Sequence, residues 1–168
     1  MRLFRFFRVG HQWVGIVLSV WLLLLSVTGF LLLIKKKVDW IQPPTRCDTA
    51  GEVADLISLQ DVAAVVLAQE HPDFQTFADI ERIDFRPAQR VFKVISRRHD
   101  AEIQVGAVSG EALSIATRRS DLLERLHDGS FFGGFVHAWF SPLVAASVAF
   151  LTVSGWWLWL APHRRRRG

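Results

Sequence analysis

Cysteine is nearly absent: Cys47 is the only one in 168 residues. A single thiol excludes an internal disulfide and any cysteine-based metal cluster, so Cys47 reads as a free thiol or one that pairs with another chain. Charge is absent from two long stretches, since residues 11–34 and 136–161 hold no Asp, Glu, Lys or Arg. Acid is absent from both ends, which carry Arg2, Arg5, Arg8 and Arg164 to Arg167. A basic stripe on a folded domain, which nucleic-acid binding would need, is missing too. All sixteen acids lie between Lys35 and Gly134 beside thirteen Lys and Arg, leaving that region mildly acidic. The net charge of +4 therefore belongs to the tails. There it meets anionic headgroups, at roughly 1 kcal/mol per residue. No Gly-rich phosphate loop, H-E-x-x-H or cysteine pair occurs. The acids are spread along the chain in a way that gives paired-carboxylate catalysis no support, and no catalytic residue stands out.

The two uncharged stretches are long enough to cross a bilayer. About 20 apolar residues span the hydrocarbon core, and a helix satisfies its own backbone there. Two membrane helices are therefore expected, at 11–34 and 136–161. The first run is too long for a cleaved signal peptide and no A-x-A site follows it, so it reads as a signal anchor ended by Lys35-Lys36-Lys37. Basic tails favour the cytoplasm, and a loop of about 100 residues translocates whatever its charge. The Lys35–Lys37 cluster argues the other way, but the two tails, 1–10 and 162–168, agree with each other. Both termini are expected in the cytoplasm, across a bacterial inner membrane, with residues 35–135 periplasmic. Trp13, Trp157 and Trp159 would then form one interfacial belt, and Trp40 and Trp139 the other.

The two helices repeat one pattern. His11-Gln12-Trp13 stands fifteen residues before Ser26-Val27-Thr28-Gly29, and His137-Ala138-Trp139 fifteen before Thr152-Val153-Ser154-Gly155. One helix leads out and the other back, so the copies should stand antiparallel. His11 and His137 are then about 36 Å apart in height, at 1.5 Å per residue. One iron cannot bind both within a chain. The small and hydroxylated residues Gly15, Ser19, Ser26, Thr28, Gly29, Thr152, Ser154 and Gly155 read as a seam for packing helix on helix or protomer on protomer.

The insert reads as a small α+β domain. Residues 35–57, with Pro43-Pro44, look like a linker. Over 58–118, Ser58 with Asp61 resembles a capping box, and Leu59, Val62, Ala63, Val66 and Leu67 recur at helical spacing until Pro72. Ile83 with Phe85 and Ala101 to Val105 then alternate, Val91 to Ile95 is a more apolar strand, and Leu113 with Ile115 follows a turn. That pattern predicts an antiparallel sheet with one wet face and the 58–71 helix on the other. Residues 119–135 add a short amphipathic helix, capped by Ser120, and a glycine hinge.

These residues resemble the PepSY-associated transmembrane family. The likeness rests on His11-x-Trp13-x-Gly15 with Thr28-Gly29, Leu126-His127, Ser154-Gly155-x-x-Leu158-Trp159, and the basic end from Pro162 to Arg167. It covers the chain from residue 9 onward, and the insert is similar to a single PepSY domain. Many relatives have four membrane helices, twice the number here. Some four-helix members look like haem-bearing inner-membrane reductases used in siderophore-iron uptake. The resemblance therefore implies an electron-transfer component linked to ferric or siderophore reduction, with haem b as cofactor and no other metal.

Histidines on facing helices are the usual axial ligands, and the candidates are His11, His127, His137 and His163. They allow an inner pair (His11 with His163), an outer pair (His127 with His137), or the same histidine from two chains of a homodimer, whose two hairpins would make a four-helix bundle. His137 falls where the family pattern places no histidine. His71 and His99 look like solvated turn residues. Two other classes stay open. One is a haem-free binding or regulatory module, since PepSY domains look like modulators of periplasmic peptidases. The other is an accessory subunit of a larger membrane complex. Partners common to all three are the lipid bilayer and further protein chains.

Overall fold

The computed structural model describes residues 2–165, with side chains described over 4–160. Its elements are α1 (Arg2–Ile34), α2 (Leu59–Leu67), β1 (Ile80–Arg86), β2 (Val91–Ser96), β3 (Ala101–Gly106), β4 (Ala112–Thr117), α3 (Arg119–Asp128) and α4 (Gly134–Arg165). The chain forms two units, one of residues 33–122 and one that unites α1, the end of α3 and α4.

In the helical unit, Phe4–Lys37 and Gly134–Leu160 are long and apolar enough to cross a membrane. Only 11% and 6% of their apolar stretches are buried, which separates them from the core helices of a globular protein. Both helices run past the sequence-expected ends because a helix need not stop where the apolar run does. Their mutual contacts include aromatic pairs: Phe7 meets Trp157, and Trp21 meets Phe140 edge-on with centroids 5.2 Å apart. A Cβ on Gly15 would lie 3.8 Å from Leu151. Between the helices lies an apolar groove of about 580 Å³ lined by Trp13, Val17, Trp21, Phe135, Trp139 and Phe140 among others.

The other unit is a four-stranded antiparallel sheet in the order β1-β2-β3-β4. Ser58 caps α2: its hydroxyl accepts from the Asp61 N–H, and the Asp61 carboxylate accepts from the Ser58 N–H, both at 3.2 Å. The helix is shorter than the 58–71 run, because the chain turns through Glu70 at φ 51° before Pro72. Val62, Ala63 and Val66 of α2 pack on Phe92, Val94, Ile103 and Val105 from one sheet face, with Phe74 closing the core.

The expected wet face is not wet. All six residues of β2 and all six of β3 are buried. The segment taken from sequence for a linker lies across the polar face, with Ile41, Pro43 and Asp48 buried. The Gln104 amide is held at both ends: its oxygen accepts from the Arg46 N–H at 2.8 Å and its nitrogen donates to the Pro44 carbonyl at 2.9 Å. Beneath it, Glu102 accepts from Gln104 at 2.7 Å, from Lys93 at 3.3 Å and from Arg118 at 3.0 Å. Arg118 also donates to Asp121 at 3.0 Å. Burial opposes the charge on Arg118, but Asp121 and Glu102 outweigh it and raise its pKa. Buried charges persist only when closed in this way. Ser120, expected as a cap, lies inside the first turn of α3, and its buried N–H donates to the Ile41 carbonyl.

Asp48 secures the far end of the strap. Its carboxylate accepts from the Val108 and Ser109 N–H groups at 2.7 and 3.0 Å. Burial pushes its pKa up, but hydrogen bonds from Ser109, Val108 and Thr49 outweigh that and hold it at about 2. A Cβ on Gly106 would lie 2.7 Å from that carboxylate, so only glycine fits there. Cys47, beside it, is an exposed free thiol.

Candidate functional site

Polar side chains are rare in the helical unit, so those that are buried there carry information. Two are hydroxyls: Thr28 on α1 is 3% exposed and Ser154 on α4 is 1% exposed. Each meets a histidine from the opposite side of the unit. The Nδ1 of His11 lies 2.7 Å from the Ser154 Oγ. The Nδ1 of His127, in the last turn of α3, lies 2.9 Å from the Thr28 Oγ1. The following glycine completes each contact. A Cβ on Gly155 would stand 3.3 Å from the His11 Cε1, and one on Gly29 3.2 Å from the His127 Cε1. Each ring edge thus rests on bare backbone.

Both hydroxyls are committed in the same manner. The Ser154 Oγ donates to the Phe150 carbonyl at 2.6 Å, and the Thr28 Oγ1 donates to the Leu24 carbonyl at 2.7 Å. This is the i−4 back-bond open to any helical Ser or Thr. Thr152 makes the same i−4 bond and Ser19 donates to the i−3 carbonyl of Ile16, but both are exposed, as is Ser26. So the seam residues divide: Thr28, Gly29, Ser154 and Gly155 hold histidines, Gly15 faces Leu151, and Ser19, Ser26 and Thr152 face outward.

The partner of His11 in this repeat is therefore His127 rather than His137. The reason is the chain's path between α3 and α4. Gly129 and Gly133 take φ of 81° and 102°, a region costly for other residues, and turn the chain between the two helices. His137 falls in the first turn of α4, is exposed, and has its Nδ1 3.2 Å from the Asp128 carbonyl. Asp128 itself is held below its ordinary pKa: burial opposes this, but the Ser130 N–H and hydroxyl, then His137 and His127, outweigh it. The side chain of His163 lies outside the described residues. His71 accepts from the Asp73 N–H, and His99 pairs with the Asp73 carboxylate at 2.8 Å, both in turns of the sheet unit.

His11 and Thr28 share one helix, seventeen residues apart. Their imidazole contacts are thus separated by about 25 Å along the axis at 1.5 Å per residue. The aromatic groove lies between the two levels, and neither histidine lines it. No group of three or more metal-binding side chains occurs among the described residues.

A family model described as the PepSY-associated TM region matches residues 8–168. The chain belongs to this family. Its two exposed apolar helices are accordingly membrane helices flanking a small sheet domain, and the protein lives in a lipid bilayer. No curated protein and no solved structure matches the chain. Of the family-like residues, Gly15, Thr28, Gly29, His127, Ser154 and Gly155 are among those at which the two helical halves meet. Sequence reasoning had His11 and His127 as separate candidates and did not pair either with a hydroxyl. The available signal was the hydroxyl-glycine dipeptide, Thr28-Gly29 and Ser154-Gly155, recurring at one place in both helices.

Proposed function

We propose that this PepSY-associated TM protein is an electron-transfer component of the bacterial inner membrane that carries b-type haem and serves ferric or siderophore-iron reduction. The observation that carries the reading is the pair of half-buried imidazoles, each with Nδ1 on a buried hydroxyl of the opposite helix. Metal-binding histidines characteristically engage their second nitrogen in this way, which fixes the ring and leaves the other nitrogen for the metal. His11 and His127 would hold the group. Haem, when bound, supplies one-electron transfer at a potential tuned by those ligands.

The reversed order of contacts, from Phe7–Trp157 to Trp21–Phe140, supports an antiparallel hairpin. One hairpin then offers a single anchored imidazole at each level. Ligation by two histidines calls for a second copy, with His11 beside the partner's His11 and His127 beside the partner's His127 in a four-helix bundle. The seven basic tail residues favour both termini in the cytoplasm, and with them the PepSY-like sheet domain, within residues 35–135, in the periplasm. There it would dock the substrate or a partner. A visible spectrum of the detergent-solubilised protein tests the reading. A Soret band near 410–430 nm and about one haem per chain are expected, with about half of the band lost in His11→Ala or in His127→Ala and all of it in the double variant. A colourless, fully assembled protein would reject it.

A second reading has its own support. Within one chain His11, His127 and His137 are each satisfied by a hydroxyl or a backbone carbonyl, not by one another. In that case the helices are a haem-free anchor. The sheet domain then binds or modulates a periplasmic peptidase, or the protein is an accessory subunit of a larger complex. Co-purification of a stoichiometric partner with colourless protein would favour it.

A further inference from the structure

We propose that Ser154 and Thr28 set the proton position on His11 and His127, so that each ring presents an unprotonated Nε2 as a built-in metal ligand. This deepens the haem reading in what meets Nε2, while the proton position stands independently of it.

The number of hydrogens available decides the proton position. A hydroxyl has one proton to donate and two lone pairs that accept. The Ser154 proton is directed to the Phe150 carbonyl at 2.6 Å, and the Thr28 proton to the Leu24 carbonyl at 2.7 Å. Toward the histidines, 2.7 and 2.9 Å away, these oxygens can then only accept. Nδ1 must carry the hydrogen in both rings. A neutral imidazole has one hydrogen, so Nε2 keeps its lone pair. The same result is built twice from different chain segments, because His11 starts α1 while His127 ends α3. Glycine reinforces it: at 3.2–3.3 Å from Cε1, a Cβ on residue 29 or 155 would press on the ring and tilt it off the hydroxyl. Gly29 and Gly155, with the two hydroxyl residues, are positioning residues for the imidazoles.

Histidine free in water favours the opposite form, with its proton on Nε2, so the expectation is distinctive. Nitrogen-15 NMR of the full-length protein, labelled at histidine and held about two pH units above the ordinary imidazole value, reads the proton position directly. In the wild type, His11 and His127 should both show protonated Nδ1 and bare Nε2. Thr28→Val should return His127 to a mixture dominated by protonated Nε2 without moving His11, and Ser154→Ala should do the reverse. Thr28→Ser and Ser154→Thr, which keep the hydroxyl, should restore the wild-type signals. In haem-loaded protein, Thr28→Val should lower haem affinity about 10–100-fold. Protonated Nε2 in the wild type, or signals indifferent to Thr28→Val and Ser154→Ala, would overturn the proposal even if haem is bound. Colourless protein with protonated Nδ1 on both rings would uphold it and reject haem instead.

Discussion

The sheet unit and the helical unit both bury polar side chains, yet they finish them differently. In the sheet unit Glu102 accepts from Lys93, Gln104 and Arg118, and Gln104 is closed by the backbone of Pro44 and Arg46. The network closes on itself, and such a network specifies a fold. In the helical unit, Thr28 and Ser154 each pass one hydrogen to their own helix and receive one from an imidazole. That chain stops at a ring with a second nitrogen still to be used. A closed polar cluster secures geometry, whereas an open-ended one orients a ring.

The largest expected effect comes from opening the closed network. Glu102→Ala would leave Lys93 and Arg118, 1% and 6% exposed, without their shared counter-charge. The loss should be about 3–5 kcal/mol of sheet-unit stability, measured by hydrogen exchange on the intact protein, with the histidine NMR signals unchanged. Displaced histidine signals in that variant would break the separation between the two units.

Acid gives a smaller effect. Asp48 has a folded pKa of about 2 against an ordinary 3.8, so its stabilisation is full above 3.8 and is lost as pH falls through 2. The difference corresponds to about 2 kcal/mol. Stability between pH 4 and 2 should therefore fall less steeply in Asp48→Asn than in the wild type, and equal slopes would remove Asp48 from the account. Ser58→Ala should be smallest, at about 1 kcal/mol through the lost helix cap. It is read as a small shift in the denaturation midpoint of the sheet unit alone.

Several elements are legible in the sequence. The uncharged runs mark the membrane helices, Ser58 with Asp61 marks the start of α2, and apolar or alternating runs between turn residues mark the four strands, because each signal is local and needs no partner. The polar sheet face was misread for a physical reason. Alternation at Lys93, Glu102 and Gln104 reports which side chains are polar, not whether water reaches them, and the covering strap is far away in sequence. In the histidine repeat, too, letters and contacts part. His137-x-Trp139 copies His11-x-Trp13 in letters, but Gly129 and Gly133 redirect the chain so that His127 takes the matching place.

Composition and spacing alone thus determined that this chain is a membrane protein with two repeated helices and an α+β insert, since transfer of uncharged runs into lipid depends only on what the runs contain. Which imidazole meets which hydroxyl, and therefore which ring nitrogen bears the proton, was decided by the tertiary structure. A hydrogen bond needs two groups within about 3 Å of each other, and only the folded arrangement brings residues 143 and 99 positions apart that close.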